Sequence, residues 1–321
     1  MRSIELPAFS YTGTSQRPGW SQLPPAVRAA IGERLGGVLD VTVVGGGFTP
    51  GFAAVVRGGS DRVFVKAAPS GSDVGSWYTR EAEIVRALPA SVPTPRLRWV
   101  DELAGHVVLC FDAIDGRMPE LGWSTRDLTV ALAALDTAAR ALADPPPALA
   151  DLVTATLVEV DAFDGWRRIL AGDLELPAFA AHLGPRLGEL AAWEARIAEL
   201  CAGATALMHC DVRLDNVLID RDGTAWICDW NHVCRGPAWL DAVALLLSAI
   251  PGGHDVDALF HGLACVEGAP ADAVDVGLAA LSSFYVVGAA RPEVETSPHL
   301  RRHQRFYLDL AADWLSRRHG W

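Results

Sequence analysis

The stretch Leu207–Asp220, "LMHCDVRLDNVLID", wedges acids, an Arg and an Asn between apolar runs. Asp211 and Asn216 stand five residues apart in it, and "AWICDW" then adds a further carboxylate, Asp229. Asn and Asp side chains are hard oxygen donors of the kind Mg2+ takes. A hairpin running from Asn216 to Asp229 would bring both oxygens together at its ends. A carboxylate just ahead of them, Asp211, could orient an attacking hydroxyl and accept its proton. Each Asp alone also reads as a turn cap. Their joint order and spacing are hard to obtain from turns.

Upstream features suit the same chemistry. "GGGFTPG" contains Gly46 and Gly47, whose bare backbone would let N–H groups approach phosphate oxygens; by itself it reads more readily as a hairpin turn. Lys66 is the only lysine among 27 basic residues and ends the run "RVFVK". Base-composition bias accounts for the scarcity of lysine. It leaves the question of why one position kept a compact point charge that arginine does not replace. In "WYTREAEIVRAL", Ile84, Leu88 and Trp77 mark a buried stripe at helical spacing. Glu81 borders that stripe and Glu83 points away. An inward carboxylate needs a partner, and Lys66 is the candidate.

The elements that must hold these residues follow from periodicity. Residues 1–36 read as an irregular arm and a helix, "PPAVRAAIGERLG", opened by Pro and closed by Gly. Val38–Lys66 reads as three strands of an antiparallel meander broken by glycines. A helix around Glu81 and a strand, His106–Phe111, follow. Between those two, Ser91–Pro95 reads as a loose connection. Beyond Gly116 the pattern is helical over Arg126–Ala143, Asp151–Leu170, Pro177–Cys201, Trp239–Ile250, Ala271–Ala289 and Leu300–Arg318. The β-like "ALMH", "NVLID" and "TAWICD" interrupt it. The expected organisation is α+β: a β-rich half (1–111), joined through 112–116 to a larger helical half (117–321).

Half of the 321 residues are apolar, enough for a substantial core. The net charge of −12 argues against nucleic acid as partner. No run approaches the ~20 apolar residues of a membrane helix, and the N-terminus lacks an apolar signal core; a cytoplasmic protein is expected. The six cysteines show no metal or disulfide spacing and read as reduced thiols.

"HCDVRLDN", with His-x-Asp and Asn five residues after the Asp, together with "ICDW" and "GPAWLD", resembles the aminoglycoside phosphotransferase/choline kinase family, which has a protein-kinase-like fold. The resemblance spans about Val43 to Leu247. It implies a two-lobed small-molecule kinase using ATP, or GTP, with Mg2+. By this resemblance Lys66 would hold the α- and β-phosphates and pair with Glu81. Phe111 would back the adenine slot, and the Asp112 and Ile114 backbones would bond the base. Asp211 would be catalytic, Asn216 and Asp229 would bind Mg2+, and His209 and Asp241 would brace the loop.

The chain departs from the family pattern at three places: Cys210 replaces a usual Gly, Arg213 replaces a frequent His, and Asn231 stands where some members carry a second acid. The expected acceptor is a hydroxylated, cationic antibiotic such as an aminoglycoside. Asp255, Asp257, Glu267, Asp272, Asp275, Glu293 and Glu295 are candidate ammonium receivers. A metabolic kinase of choline, a sugar or an amino alcohol is the alternative, and a nucleotide-binding pseudokinase a more distant one. No obligatory protein partner is expected. Cys110, Cys210 and Cys228 neighbour the expected nucleotide-site positions in sequence, which predicts thiol-reagent inhibition relieved by ATP.

Overall fold

Residues 4, 6–59, 61–160 and 163–321 are described by a computed structural model. The elements run α1 (Pro25–Arg34), β1 (Val38–Val43), β2 (Phe52–Gly58), β3 (Arg62–Pro69), α2 (Asp73–Ala87), β4 (Leu97–Leu103), β5 (His106–Asp112) and β6 (Gly116–Arg117). Then come α3 (Thr125–Leu142), α4 (Pro147–Leu152), α5 (Leu157–Val160), α6 (Gly165–Ala171), α7 (Leu187–Cys201), β7 (Leu207–Met208), β8 (Val217–Asp220), β9 (Ala225–Ile227) and β10 (Cys234–Arg235). The chain ends with α8 (Trp239–Leu247), α9 (Val256–His261), α10 (Ala273–Ala289) and α11 (Leu300–His319).

The β-branched first third forms an antiparallel five-stranded sheet in the order β1-β2-β3-β5-β4. Alternation along β3 sorts its two faces. Val63, Val65 and Ala67 pack with Cys110, Val27 and Ile31 under α1. Phe64 and Ala68 lie on the other face, with Leu109, Phe111 and Tyr78 of α2, and Lys66 shares that face by the same alternation. Helix α2 starts at Ser72, whose Oγ accepts from the Gly75 N–H at 3.1 Å. It stops at Leu88, held extended by the following proline. Trp77 is 41 % exposed. The buried stripe of α2 instead runs through Tyr78, Glu81, Ala82 and Ile84.

Several expectations are corrected. Strand β4 was not foreseen; "LRWVDEL" carries charges because it is the sheet's outer edge. Ser91–Pro95 is ordered: Val92 is buried in the main core, and the Pro93 carbonyl accepts from the Ile227 N–H at 2.7 Å. The stretch expected as one helix over Asp151–Leu170 is divided among α4, α5 and α6. Arg235 claims the carbonyls of Ala150 and Val153, and its N–H bonds the Ala155 carbonyl, so residues 153–156 run extended. Pro185 likewise divides Pro177–Cys201 into a 3-10 segment, Ala178–Arg186, and α7. Helices α3, α8, α10 and α11 match their expected spans to within a few residues.

The large core lies among α3, α7, α8, α10 and α11, under β7, β8 and β9. Arg80 of α2 reaches across to it, donating to the carbonyls of Asn231 and Val233 at 3.2 and 3.1 Å.

Candidate active site

The third strand and α2 deliver one buried ion cluster. Lys66 Nζ lies 2.7 Å from both carboxylate oxygens of Glu81 and 2.8 Å from Asp229 Oδ1. Glu81 is 2 % exposed and Lys66 9 %. Burial works against every charge here, but the ions compensate one another. The two carboxylates lift the Lys66 pKa well above its ordinary value despite burial. Burial pushes Asp229 upward, yet the Lys66 ammonium brings it far below the carboxylate range. Burial raises Glu81 against the pull of Lys66. Asp229, anchored to Lys66, stays ionised and faces the cleft.

The residues of the loop 209–216 are held by a second network. The Asp241 carboxylate, on α8, accepts from the His209 and Cys210 N–H groups at 2.7 and 2.9 Å. His209 Nε2 donates to the Cys228 carbonyl at 2.9 Å, and its Nδ1 accepts from the Asp211 N–H at 3.2 Å. That pattern fixes a neutral imidazole with the proton on Nε2, and burial pushes its pKa down to about 4. Asn216 Nδ2 donates to Asp211 O and Oδ2 at 2.8 and 3.0 Å. Arg213, without a role in the sequence reading, donates to Asp211 Oδ1 at 2.5 Å and forks onto both oxygens of the buried Asp215. Burial raises the Asp211 pKa, with Arg213 opposing.

The strand pair β8–β9 sets Val217 opposite Ile227, so Asn216 and Cys228 meet at the hairpin's end, joined by Cys228 N–H to Asn216 O at 2.8 Å. Asn216 and Asp229 both line one cleft of about 450 Å³. Two hard oxygens beside an ionised carboxylate fit a Mg2+ ion. Asn231 lines neither cavity described here, and its Oδ1 is buried without a hydrogen-bond partner.

The same cleft is lined by Gly46, Gly47, Lys66, Glu81, Phe111, Asp112 and Ile114. Phe111 lies opposite Phe64 across β3–β5. The Asp112 N–H donates to the Arg96 carbonyl at 2.9 Å, so of that residue's backbone only the carbonyl can meet an incoming base.

The N-terminal arm was missed as part of the site. Arg17 donates to the carbonyls of Gly46 and Gly51 at 2.6 and 2.8 Å, and Thr14 to that of Gly47 at 2.6 Å. A Cβ on Gly45 would sit 2.7 Å from the Thr12 carbonyl. Close approach of the arm therefore demands glycine there, apart from any phosphate. An arm without periodicity gave no signal for this role.

On the far side of Asp211 lies a second cavity of about 180 Å³, walled by Phe48, Cys210, Arg213, Leu281, Phe284, Tyr285 and His303 among others. None of the seven acids expected to receive ammonium groups lines it. Asp255 caps α9 through the Ala258 N–H, Asp257 and Asp275 clamp Arg318, and Asp272 pairs with Arg196. Glu267, Glu293 and Glu295 are exposed. Of the three cysteines expected near the nucleotide site, Cys228 lines the larger cleft, Cys210 lines the second cavity, and Cys110 faces the α1 side of the sheet. Burial raises the Cys228 pKa to about 12, which keeps that thiol protonated and slow to react.

Among solved structures the chain is similar to a thermostable mutant of aminoglycoside phosphotransferase APH(4)-Ia in complex with AMP-PNP and hygromycin B. The TM-score is 0.58 at 14% identity, covering 90% of this chain and 98% of that one. Spectinomycin phosphotransferase APH(9)-Ia, in complex with ADP and spectinomycin, gives 0.55 at 13% identity, covering 91% and 98%. Choline kinase LicA from Streptococcus pneumoniae gives 0.57 at 12% identity, covering 89% and 99%. At such identities the likeness is one of fold. No curated protein sequence matches the chain. A family model described as the phosphotransferase enzyme family, APH, matches residues 40–273, a span that holds Lys66, Glu81, Asp211, Asn216, Asp229 and Asp241, and the chain belongs to that family.

Proposed function

We propose that the chain is an ATP-dependent kinase of a small hydroxylated molecule, with GTP as an alternative donor. The observation that carries the reading is the placement of the Lys66–Glu81–Asp229 cluster beside Asp211 and Asn216, between two cavities that Asp211 and Asp229 border. Lys66 binds the α- and β-phosphates, and Phe111 with the Asp112 carbonyl and Ile114 receives the base. Asn216 and Asp229 would hold Mg2+, which when bound neutralises phosphate charge. Asp211 Oδ aligns the acceptor hydroxyl and takes its proton. The acceptor oxygen then bonds the γ-phosphorus as the bond to the β,γ-bridging oxygen breaks, releasing ADP. His209 and Asp241 hold the loop in place.

In this reading residues 1–111 form the nucleotide lobe, 112–116 the hinge and 117–321 the acceptor lobe. A cytoplasmic location, where ATP is plentiful, is part of the same reading. No described helix is long and apolar enough to cross a membrane. A hydroxylated antibiotic is the acceptor we favour, with resistance of an expressing host as the result; fold neighbours carrying hygromycin B or spectinomycin support it. Incubation with Mg-ATP and an acceptor panel tests the reading. ADP release stimulated by an acceptor, with one phosphate found on that acceptor by mass spectrometry, is expected. Tight ATP binding with no transfer to any acceptor would instead indicate a regulator.

A further inference from the structure

The cavity beyond Asp211 is walled mainly by apolar side chains from five places. Phe48 comes from the glycine loop, Leu157 from α5, Leu240 from α8, Leu281 and Phe284 from α10, and Leu300 opens α11. Its two carboxylates are already engaged. Asp241 is occupied by two backbone N–H groups, and Asp211 by Arg213 and Asn216. Arg213 places a guanidinium in the wall, 5.5 Å from the Phe48 ring centroid. His303 is buried, bonded to the Tyr11 hydroxyl at 3.0 Å, and pushed down to about 3 by burial and then by Arg213, so it is neutral. Phe284 is 39 % exposed at this wall, a large ring left toward solvent.

An acceptor carrying several ammonium groups would meet one guanidinium, no uncommitted carboxylate and many methyl and ring carbons. Each ammonium buried there without a partner forfeits its hydration with nothing to replace it. The chain's net charge of −12 does not offset this, because salt screens it beyond a Debye length of ~8 Å. Apolar acceptor surface, by contrast, is stabilised by burial against these walls.

Resting on the phosphotransferase reading, we infer that the acceptor is a hydroxylated molecule with a large apolar framework and at most one cationic group, not a polyamine. Its hydroxyl meets Asp211 while its framework lies between Phe48 and the Leu281–Phe284 face of α10.

Two acceptor panels at equal concentration, with the full chain and Mg-ATP, test this. One holds aminocyclitol glycosides with three or more amines, the other hydroxylated macrolactones with one amine or none. The macrolactone panel is expected to give the better acceptor, by tenfold or more in kcat/KM. Phe284→Glu, confirmed folded by its thermal melt, is expected to raise the KM for that acceptor tenfold or more, and Phe284→Ser by less. Equal or better turnover of the polyamines overturns the inference. So does a KM unmoved in folded Phe284→Glu, or no stimulation by the macrolactones. Failure of the phosphotransferase reading shows separately, as basal ATP hydrolysis that Asp211→Asn leaves untouched.

Discussion

Cys210 adopts φ +69°, a left-handed conformation that a side chain enters at a cost of about 1–2 kcal/mol and glycine does not. The turn follows directly on the His209 and Cys210 N–H groups that donate to Asp241, and it redirects the chain toward Asp211. The departure from the family's Gly, seen in sequence as a substitution, is therefore a stored backbone strain beside the second cavity. Cys210→Gly is expected to stabilise the protein by about 0.5–1 kcal/mol, the relief exceeding glycine's added flexibility when unfolded. Urea denaturation measures it, and a destabilised variant would mean the thiol's packing outweighs the strain. His303 offers a test by pH. Its folded pKa of about 3 lies below the unfolded value of 6.5, so the native state cannot take up the proton that the unfolded chain binds. Stability from this group is whole above pH 6.5 and drains as pH falls toward 3. Its share of the loss between pH 7 and pH 5 is roughly 2 kcal/mol. His303→Gln lacks that proton, so its stability deficit relative to wild type is expected to shrink by that amount over the same range. A deficit constant with pH would show that His303 is not a buried neutral imidazole.

Among the elements, the strands and long helices were legible because their faces are written in alternation or in 3.6-residue stripes. The failures have local causes. Strand β4 carries an edge's charges, Arg235 overrides helix propensity at 153–156, and Trp77 sits one position off the stripe that Tyr78 completes. Lys66, Glu81, Asp211, Asn216 and Asp229 were legible because their types and spacing survive without knowledge of packing. Arg213 and the arm were not, since their partners lie in contacts no periodicity encodes. The arm now has a predicted consequence. Arg17 ties two carbonyls of the glycine loop, and Ser15 and Gln16 reach the Thr296 carbonyl. Arg17→Ala should loosen that loop, speeding amide exchange over Gly46–Gly51 and raising the KM for ATP roughly three- to tenfold, the net worth of about one ordinary hydrogen bond. Exchange and KM both unchanged would show the arm to be a passenger.

At the scale of the whole molecule, several ties join the two halves. Lys66 reaches Asp229, Arg80 reaches the carbonyls of Asn231 and Val233, and Phe48 of the glycine loop is held by Ser297 Oγ at 2.7 Å. These ties set the groups proposed to hold phosphates and the carboxylate proposed to meet the acceptor at a fixed separation, as phosphoryl transfer by alignment requires. The central claim is that Asp211 acts on the acceptor hydroxyl and not on the nucleotide. The most direct measurement compares wild type and Asp211→Asn for nucleotide binding by calorimetry and for transfer of labelled γ-phosphate to an acceptor that the wild type uses. The account predicts an ATP affinity within about threefold of wild type and a kcat lower by roughly 10²–10⁴. Near-normal kcat, or loss of ATP binding in step with turnover, would contradict it.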